Sequence, residues 1–418
     1  MKAVEVFIPG GLPTVTFVDE HLTEKKKQFL NTLETGKTLI SISGPSKSGK
    51  TVFVEQTLGK GNIIQITGAG ITSSEELWTR VFNIIGTPTK KKVSQGSSVA
   101  VSGSTSAEIG SNLVIAKGKA GGCISGTHKS NSQEMTEVHV DTVSTIISEL
   151  SGTGFAIFID DFHYIPADVQ SEVARQVKEL IRNDVTIICA STPYRADDVI
   201  RSNSDLRGRV FPIDFDYWDV NTLIKIAMLG FSELSVRHDN SAIKFLAQEA
   251  AGSPQLMQYL CLNTCFELGV KETAKNSISF ENDFDTIHNA CRMTSVTADY
   301  TSIVECMKDG PKTRGSDRNV YKTVYGWQGD VYRILAKALS LKPPQLTIRY
   351  SDLIARVGRV CKKDTPSGSS LLNACQHSAA IINGKSGESI VEWDSENDVF
   401  DIRDPYFLFY LRWSDSTG

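Results

Sequence analysis

Short apolar runs alternate with amphipathic stretches through the first half of the chain. Thr38-Leu39-Ile40-Ser41-Ile42-Ser43 reads as a buried strand, and Val52-Phe53-Val54-Glu55-Gln56-Thr57-Leu58 as the helix leading out of it. Asn62-Ile63-Ile64-Gln65-Ile66-Thr67 predicts a second strand. Ser73 then reads as a helix cap with Glu76 three residues on, and Leu77, Val81, Ile84 and Ile85 form the expected buried stripe. Thr136–Leu150 predicts another helix. Phe155-Ala156-Ile157-Phe158-Ile159-Asp160-Asp161 is an apolar run that ends in two carboxylates, as a central parallel strand would. Ala167–Arg182 reads as a helix, Asp184–Thr192 as the next strand, and Val210–Ile213 as a short last one. Strands alternating with helices imply an α/β fold with a parallel sheet core over residues 1–218.

The second half reads differently. Residues 219–300 are all helical, over Asn221–Leu229, Ser241–Ala250, Pro254–Leu268 and Glu281–Ser295. In 301–418, Val331–Leu339, Tyr350–Val357 and Ser370–Ile382 predict helices. Ile390-Val391-Glu392-Trp393 and Val399-Phe400-Asp401-Ile402 then predict a hairpin. Helices followed by a hairpin fit a winged helix. At the N-terminus a segment from Pro9 to Val18 precedes a helical pattern over Thr23–Leu33; it is either a plain arm or a cover for a nucleotide base.

One tract breaks the alternation. Residues 87–133 begin with Lys90-Lys91-Lys92 and continue rich in Ser, Gly and Thr. Within them Ser98–Ser102 and Asn112–Ala116 have strand character. They read either as a projecting insertion of one or two hairpins or as a linker without fixed structure.

Composition changes little in this picture. The 418 residues suggest two or three domains of a soluble globular protein, with no run long enough to span a bilayer and no leader-like apolar core near Met1. The net charge of −4 does not announce nucleic acid. The eight cysteines are scattered, and Cys261 and Cys265 suit one face of an apolar helix better than a zinc site; reduced thiols and a cytoplasmic location are expected. Charge is uneven locally. Over 301–363 thirteen Lys and Arg stand against five Asp and Glu, a balance of +8. The stretch 308–363 is therefore either a DNA-facing surface or a solvated face balanced by the acidic tail from Glu388 to Asp404.

The chemistry lies at the ends of the predicted strands. Gly44-Pro45-Ser46-Lys47-Ser48-Gly49-Lys50-Thr51 fits the phosphate-loop pattern G-x-x-x-x-G-K-[ST] in full, between a strand and a helix. Glycines there let main-chain amides close around phosphate oxygens, at a helix N-terminus of partial positive charge. Lys50 would reach the β- and γ-phosphates, and Thr51 would offer its hydroxyl to Mg²⁺. Asp160 would hold the same Mg²⁺, and Asp161 would orient or deprotonate the attacking water. Ser191 and Thr192 end the next strand with hydroxyls. Arg207 and Arg209 flank Gly208 and, in an oligomer, would reach a neighbour's γ-phosphate, Arg209 ahead of Arg207.

The order of these parts resembles a family. Gly44–Thr51 looks like a Walker A motif and Ile157–Asp161 like a Walker B motif. Ser191-Thr192 sits where a sensor-1 residue would, Thr192 being the candidate site residue. Leu206-Arg207-Gly208-Arg209-Val210 resembles the arginine-finger segment of AAA+ proteins of the origin-recognition group, and Ala251-Gly252-Ser253-Pro254 the start of their sensor-2 helix. Ile402–Trp413 is similar to the end of the winged-helix region in prokaryotic ATPases of the related STAND branch. The resemblance implies a P-loop ATPase core over 1–218, a helical lid over 219–300 and a winged-helix domain over 301–418, with ATP and Mg²⁺ bound. It has two departures. Asp161 stands where most AAA+ enzymes have Glu, and Gln255 where Arg is common; a neutral amide does not stabilise phosphate charge as a guanidinium does. Both point to a nucleotide switch with slow turnover. The resemblance further implies a homo-oligomer that acts on a partner protein in a bacterial defence or regulatory system. A DNA-binding initiator or loader is the alternative.

Overall fold

The computed structural model describes residues 1–86, 90–94, 135–139, 141–192, 203, 206–280, 283–312 and 317–414. The chain divides into two compact units. One comprises Leu22–Gly44 and Lys50–Phe215; the other comprises Met1–His21, Pro45–Gly49 and Asp216–Gly418.

The first unit is built on five parallel strands: β1 (Leu39–Ser43), β2 (Ile63–Thr67), β3 (Ala156–Asp160), β4 (Thr186–Ser191) and β5 (Val210–Asp214). Their order across the sheet is β2-β3-β4-β1-β5. Alternate residues of each strand serve opposite faces. Ile157, Ile159, Ile187 and Cys189 pack in one cluster with Trp78, Val143 and Val173, from the helices Ser74–Ile85, Thr142–Leu150 and Ala167–Arg182. Phe158, Ile188 and Ala190 pack in another with Phe29 and Phe53, from Thr23–Thr35 and Lys50–Leu58. A strand covered on both faces is apolar nearly throughout, which is why the central strands β3 and β4 show no alternation in sequence. Each fully buried Ile or Phe contributes about 1.5–3 kcal/mol.

Register aligns the functional ends. Ser43 pairs with Ser191, Ile159 with Cys189 and Thr67 with Asp160. The C-terminal ends of β1, β3 and β4 therefore share one edge of the sheet.

Two expectations are corrected here. Ile84 is 43 % exposed and does not belong to the buried stripe of its helix, which Leu77, Trp78, Val81 and Phe82 form instead. The bulky indole of Trp78 pulls the face round, and Ile84 then lies about 90° from its middle at 3.6 residues per turn. The helix placed over 136–150 begins only at Thr142, capped by Asp141. Met135–His139 is a strand, antiparallel to Lys90–Ser94. The two arms flank the Ser/Gly-rich tract, whose other proposed strands at 98–102 and 112–116 lie outside the described residues.

In the second unit, the segment from Asp216 opens with the helices Val220–Glu233, Asn240–Glu249, Pro254–Glu267 and Phe284–Val296. Asp219, Asp239, Ser253 and Asp283 start them, each accepting a hydrogen bond from a first-turn amide. Cys261 and Cys265 are buried on one of these helices, and burial pushes the Cys265 thiol up to about 12. The chain continues through helices Thr301–Asp309 and Val331–Leu339, strand β6 (Thr347–Arg349), helices Tyr350–Val360 and Gly368–Ser386, strands β7 (Val391–Asp394) and β8 (Val399–Ile402), and a last helix, Pro405–Trp413. The three strands form an antiparallel sheet in the order β6-β8-β7. Among the described residues, no helix is long and apolar enough to cross a membrane.

Candidate functional site

The loop after β1 is shaped by residues that only certain side chains permit. Gly44 has φ +156°, and a Cβ there would meet the Cβ of Phe215 at 2.5 Å and its carbonyl oxygen at 2.8 Å. Gly49 has φ +94°. Both positions exclude ordinary L-residues. Helix Lys50–Leu58 starts immediately after, so the loop feeds its main-chain amides into a helix N-terminus.

Lys50 folds back over the loop, and its ammonium donates to the Gly44 carbonyl at 2.8 Å. Burial pushes its pKa down to about 8, against the opposing pull of Asp160 and Asp161. A desolvated cation that donates to a main-chain carbonyl can exchange that acceptor for phosphate oxygens. The Thr51 hydroxyl donates to Oδ2 of Asp160 at 2.6 Å, and the Asp161 amide donates to Oδ1 at 3.0 Å. Burial raises the Asp160 carboxyl above its ordinary value, while the Thr51 hydrogen bond opposes that rise.

Asp161 turns the chain out of β3 with φ +54° and ψ +38°, the left-handed region. Its carbonyl is packed against Gly68, where a Cβ would come within 2.5 Å of it. The Gly68 amide meanwhile donates to the Asp160 carbonyl at 2.7 Å. Gly68 thus fixes both acids, a role the sequence reading missed. Its signal was a glycine just after the strand that neighbours β3.

The residues present fit a magnesium nucleotide. Thr51 and Asp160 put two hard oxygens side by side, which suits an ion that takes its other ligands from water and phosphate. Among the described residues, no cluster of three or more His, Cys, Asp or Glu side chains offers an all-protein metal cage. The Ser48 hydroxyl is buried with no hydrogen-bond partner among the described residues, an orphan at the crest of a phosphate-loop pattern.

No protein-family model matches the chain, and no curated protein matches it. Solved structures do. The Walker-type ATPase PABY2304 of Pyrococcus abyssi is similar with a TM-score of 0.52 and 14 % identity, over 94 % of this chain and 95 % of that one. Cdc6p from Pyrobaculum aerophilum matches with a TM-score of 0.42 and 12 % identity, over 97 % and 96 %. The RuvB Holliday junction branch migration motor of Thermotoga maritima matches with 0.38 and 14 %, over 91 % of each chain.

The chain has the P-loop NTPase fold.

Within that fold, Thr192 is half-buried just after β4, whose end neighbours that of β1, so topology brings it to the same sheet edge as Gly44 and Asp160. Arg207 and Arg209 are not brought there. Leu39 pairs with Val210 at the N-terminal ends of their strands, and the Leu39 amide donates to the Arg209 carbonyl at 2.8 Å. Strands of this length span about 15 Å, so both arginines lie at the opposite edge from the P-loop of their own chain. Arg207 is exposed and Arg209 half-buried.

The crest of the P-loop, Pro45–Gly49, belongs to the second unit. The Lys47 ammonium is 3.2 Å and 3.3 Å from the two carboxylate oxygens of Asp404 and 4.2 Å above the Tyr406 ring. The Trp218 indole donates to the Ser48 carbonyl at 3.0 Å. Trp218 and Tyr406 are not singled out by the sequence, and Asp404 stands there as the end of the acidic tail.

The basic stretch is partly structural. Arg356 is buried and donates to the carbonyls of Leu341 and Pro343 and to Gln345. Arg318 pairs with Asp330 at 2.7 Å. Lys322, Arg333, Arg349, Arg359, Lys362 and Lys363 are exposed.

Proposed function

We propose that the chain is an ATP-binding, slowly ATP-hydrolysing molecular switch. The observation that carries this reading is the Thr51 hydroxyl on Asp160 at 2.6 Å, beside a Lys50 desolvated over the loop. Gly44–Gly49 would wrap the phosphates, Lys50 would neutralise the β- and γ-phosphates, and Thr51 and Asp160 would hold Mg²⁺. The metal, when bound, supplies positive charge that screens the phosphate oxygens. Asp161 would receive the proton of the attacking water, and Thr192 would hydrogen-bond near the γ-phosphate. The aspartate at 161 is one methylene shorter than glutamate, which supports modest turnover.

Arg209, and after it Arg207, would act on the nucleotide of a neighbouring copy. Their place at the far edge of the sheet supports a role in trans, and with it a homo-oligomer. The order helix, strand, helix, helix, strand, strand over 331–402 supports a winged-helix reading of the C-terminal part. Through it and the helices of 219–300 the switch would act on a partner protein, in the cytoplasm, in a bacterial defence or regulatory system.

The exposed cations Lys322, Arg349, Arg359, Lys362 and Lys363 favour one second reading, a DNA-binding initiator or loader. Against it, the longest helix of that part, Gly368–Ser386, carries Lys385 as its one Lys or Arg.

Turnover of wild type, Lys50→Ala and Asp161→Ala tests the main reading. Lys50→Ala loses nucleotide binding, whereas Asp161→Ala keeps binding and loses about 10²–10⁴ in turnover. Equal turnover in all three removes it. A DNA titration at low salt, with no binding, removes the second.

A further inference from the structure

Lys47 has φ +62°, a backbone region that residues other than glycine avoid, at the crest of the P-loop. Two groups hold its side chain there, and a third braces one of them. The Asp404 carboxylate pairs with its ammonium, the Tyr406 ring lies beneath it, and the Tyr300 hydroxyl donates to the same carboxylate. Asp404 is also the cap of the last helix, accepting from the Tyr406 amide at 2.9 Å. One carboxylate thus serves both a phosphate-loop lysine and the first turn of Pro405–Trp413. It is only 11 % exposed, so the pair is weakly screened by solvent. Trp218 pins the next residue, Ser48, through its carbonyl.

We propose that the Lys47–Asp404 clamp couples nucleotide occupancy of the P-loop to the order of helix Pro405–Trp413, with Asp404 as a positioning residue. The proposal rests on the phosphate-binding reading above. A clamp that holds the crest in its left-handed turn favours one backbone shape of the loop. If that shape binds phosphate better, phosphate tightens the clamp by the same factor, because coupling between two sites is reciprocal. The signal would leave the loop through Asp404 into the amides it caps.

Hydrogen–deuterium exchange on the full chain, with and without magnesium and a non-hydrolysable ATP analogue, tests this. In wild type, exchange across 405–413 slows by about tenfold with nucleotide, within the usual span of coupling between sites. Lys47→Met, which keeps the stem, removes the charge from Asp404 and Tyr406 and leaves the last helix's own sequence unchanged, abolishes that difference while still binding nucleotide. Affinity gives an independent measure. Lys47→Met and Asp404→Asn each weaken analogue binding by about tenfold, and the double variant is no weaker than either alone. Asn keeps the cap, so the second variant separates charge from helix initiation. Retention of the exchange difference in Lys47→Met, or full additivity in the double variant, overturns the clamp and leaves the nucleotide reading standing. Failure of wild type to bind the analogue overturns both.

Discussion

Thr51 and Asp160, separated by 109 positions in sequence, meet as hydroxyl and carboxylate at 2.6 Å. The contact joins the first turn of helix Lys50–Leu58 to the end of β3 and makes a two-oxygen cradle with no further protein ligand needed. Thr51→Ala removes one oxygen and, among the described residues, leaves the Asp160 carboxylate with the Asp161 amide as its hydrogen-bond donor. Magnesium should then improve nucleotide affinity on the order of tenfold less than it does in wild type, while Thr51→Ser retains the effect. Titrations of ADP with and without magnesium measure this. An undiminished magnesium effect in Thr51→Ala would show that the cradle is not a metal site.

Gly68 has no side chain to offer a ligand, yet its backbone contacts both candidate acids. Its amide donates to the Asp160 carbonyl, and a Cβ would collide with the Asp161 carbonyl at 2.5 Å. Backbone atoms cannot move aside as a flexible side chain can. Gly68→Ala should therefore shift both acids, lowering stability by about 1–3 kcal/mol and turnover by more than binding. Denaturant unfolding and steady-state turnover, run together, check the pair of effects. Wild-type turnover in a stably folded Gly68→Ala would refute the positioning role.

The sheet and its two motifs were legible because a doubly covered parallel strand must be apolar along its whole length, and the groups at its end stand out. Phe155–Asp161 shows both features in seven letters. Met135–His139 was misread because a short strand at the base of an insertion has neither a long apolar run nor a turn signal of its own. Thr347–Arg349 was missed for the same reason, having three residues. The contacts of the P-loop crest were illegible on different grounds. Lys47 and Asp404 are 357 positions apart, Trp218 and Ser48 170, and no local pattern announces such a pairing. Ile84 had the right spacing and failed because Trp78 moved the centre of the buried face.

Arg209 lies at the edge of the sheet remote from its own P-loop, so its removal should matter only where copies of the chain meet. Arg209→Ala should leave nucleotide affinity at low protein concentration unchanged and lower turnover on the order of 10³-fold in the assembled state. Turnover per chain measured against protein concentration separates the two regimes. Turnover independent of concentration in wild type, with Arg209→Ala equal to it, would leave the arginine as surface charge.

Glu249 and Arg412 form a bidentate pair at 2.6 and 2.8 Å with side-chain exposures of 1 % and 3 %. Trp413 donates to the same carboxylate, and Arg412 also reaches the Ser340 carbonyl. Breaking one side leaves an uncompensated buried charge, which costs about 3–5 kcal/mol. Arg412→Met should destabilise the second unit by that amount, and Glu249→Gln/Arg412→Met together by less than the sum of the singles. Chemical unfolding of the three variants measures it. Additive losses would mean that the two residues do not act as a pair.

The depressed pKa of Lys50 gives a pH dependence with a definite sign. Burial lowers it from 10.5 to about 8, so between those values the unfolded chain holds a proton that the folded chain has lost. The contribution of Lys50 to stability is unfavourable and constant below about pH 8, and rises with pH across that window up to about 10.5. A polyphosphate reverses the balance, because it favours the ammonium form and lifts the pKa again. Nucleotide binding near pH 9 should therefore take up a proton, and binding near pH 7 should not. Calorimetry in two buffers of different ionisation enthalpy reads the uptake directly. At pH 9 the binding enthalpies should diverge between buffers, and at pH 7 they should agree. Identical enthalpies at both values would mean that Lys50 keeps its ordinary pKa or never meets the phosphates.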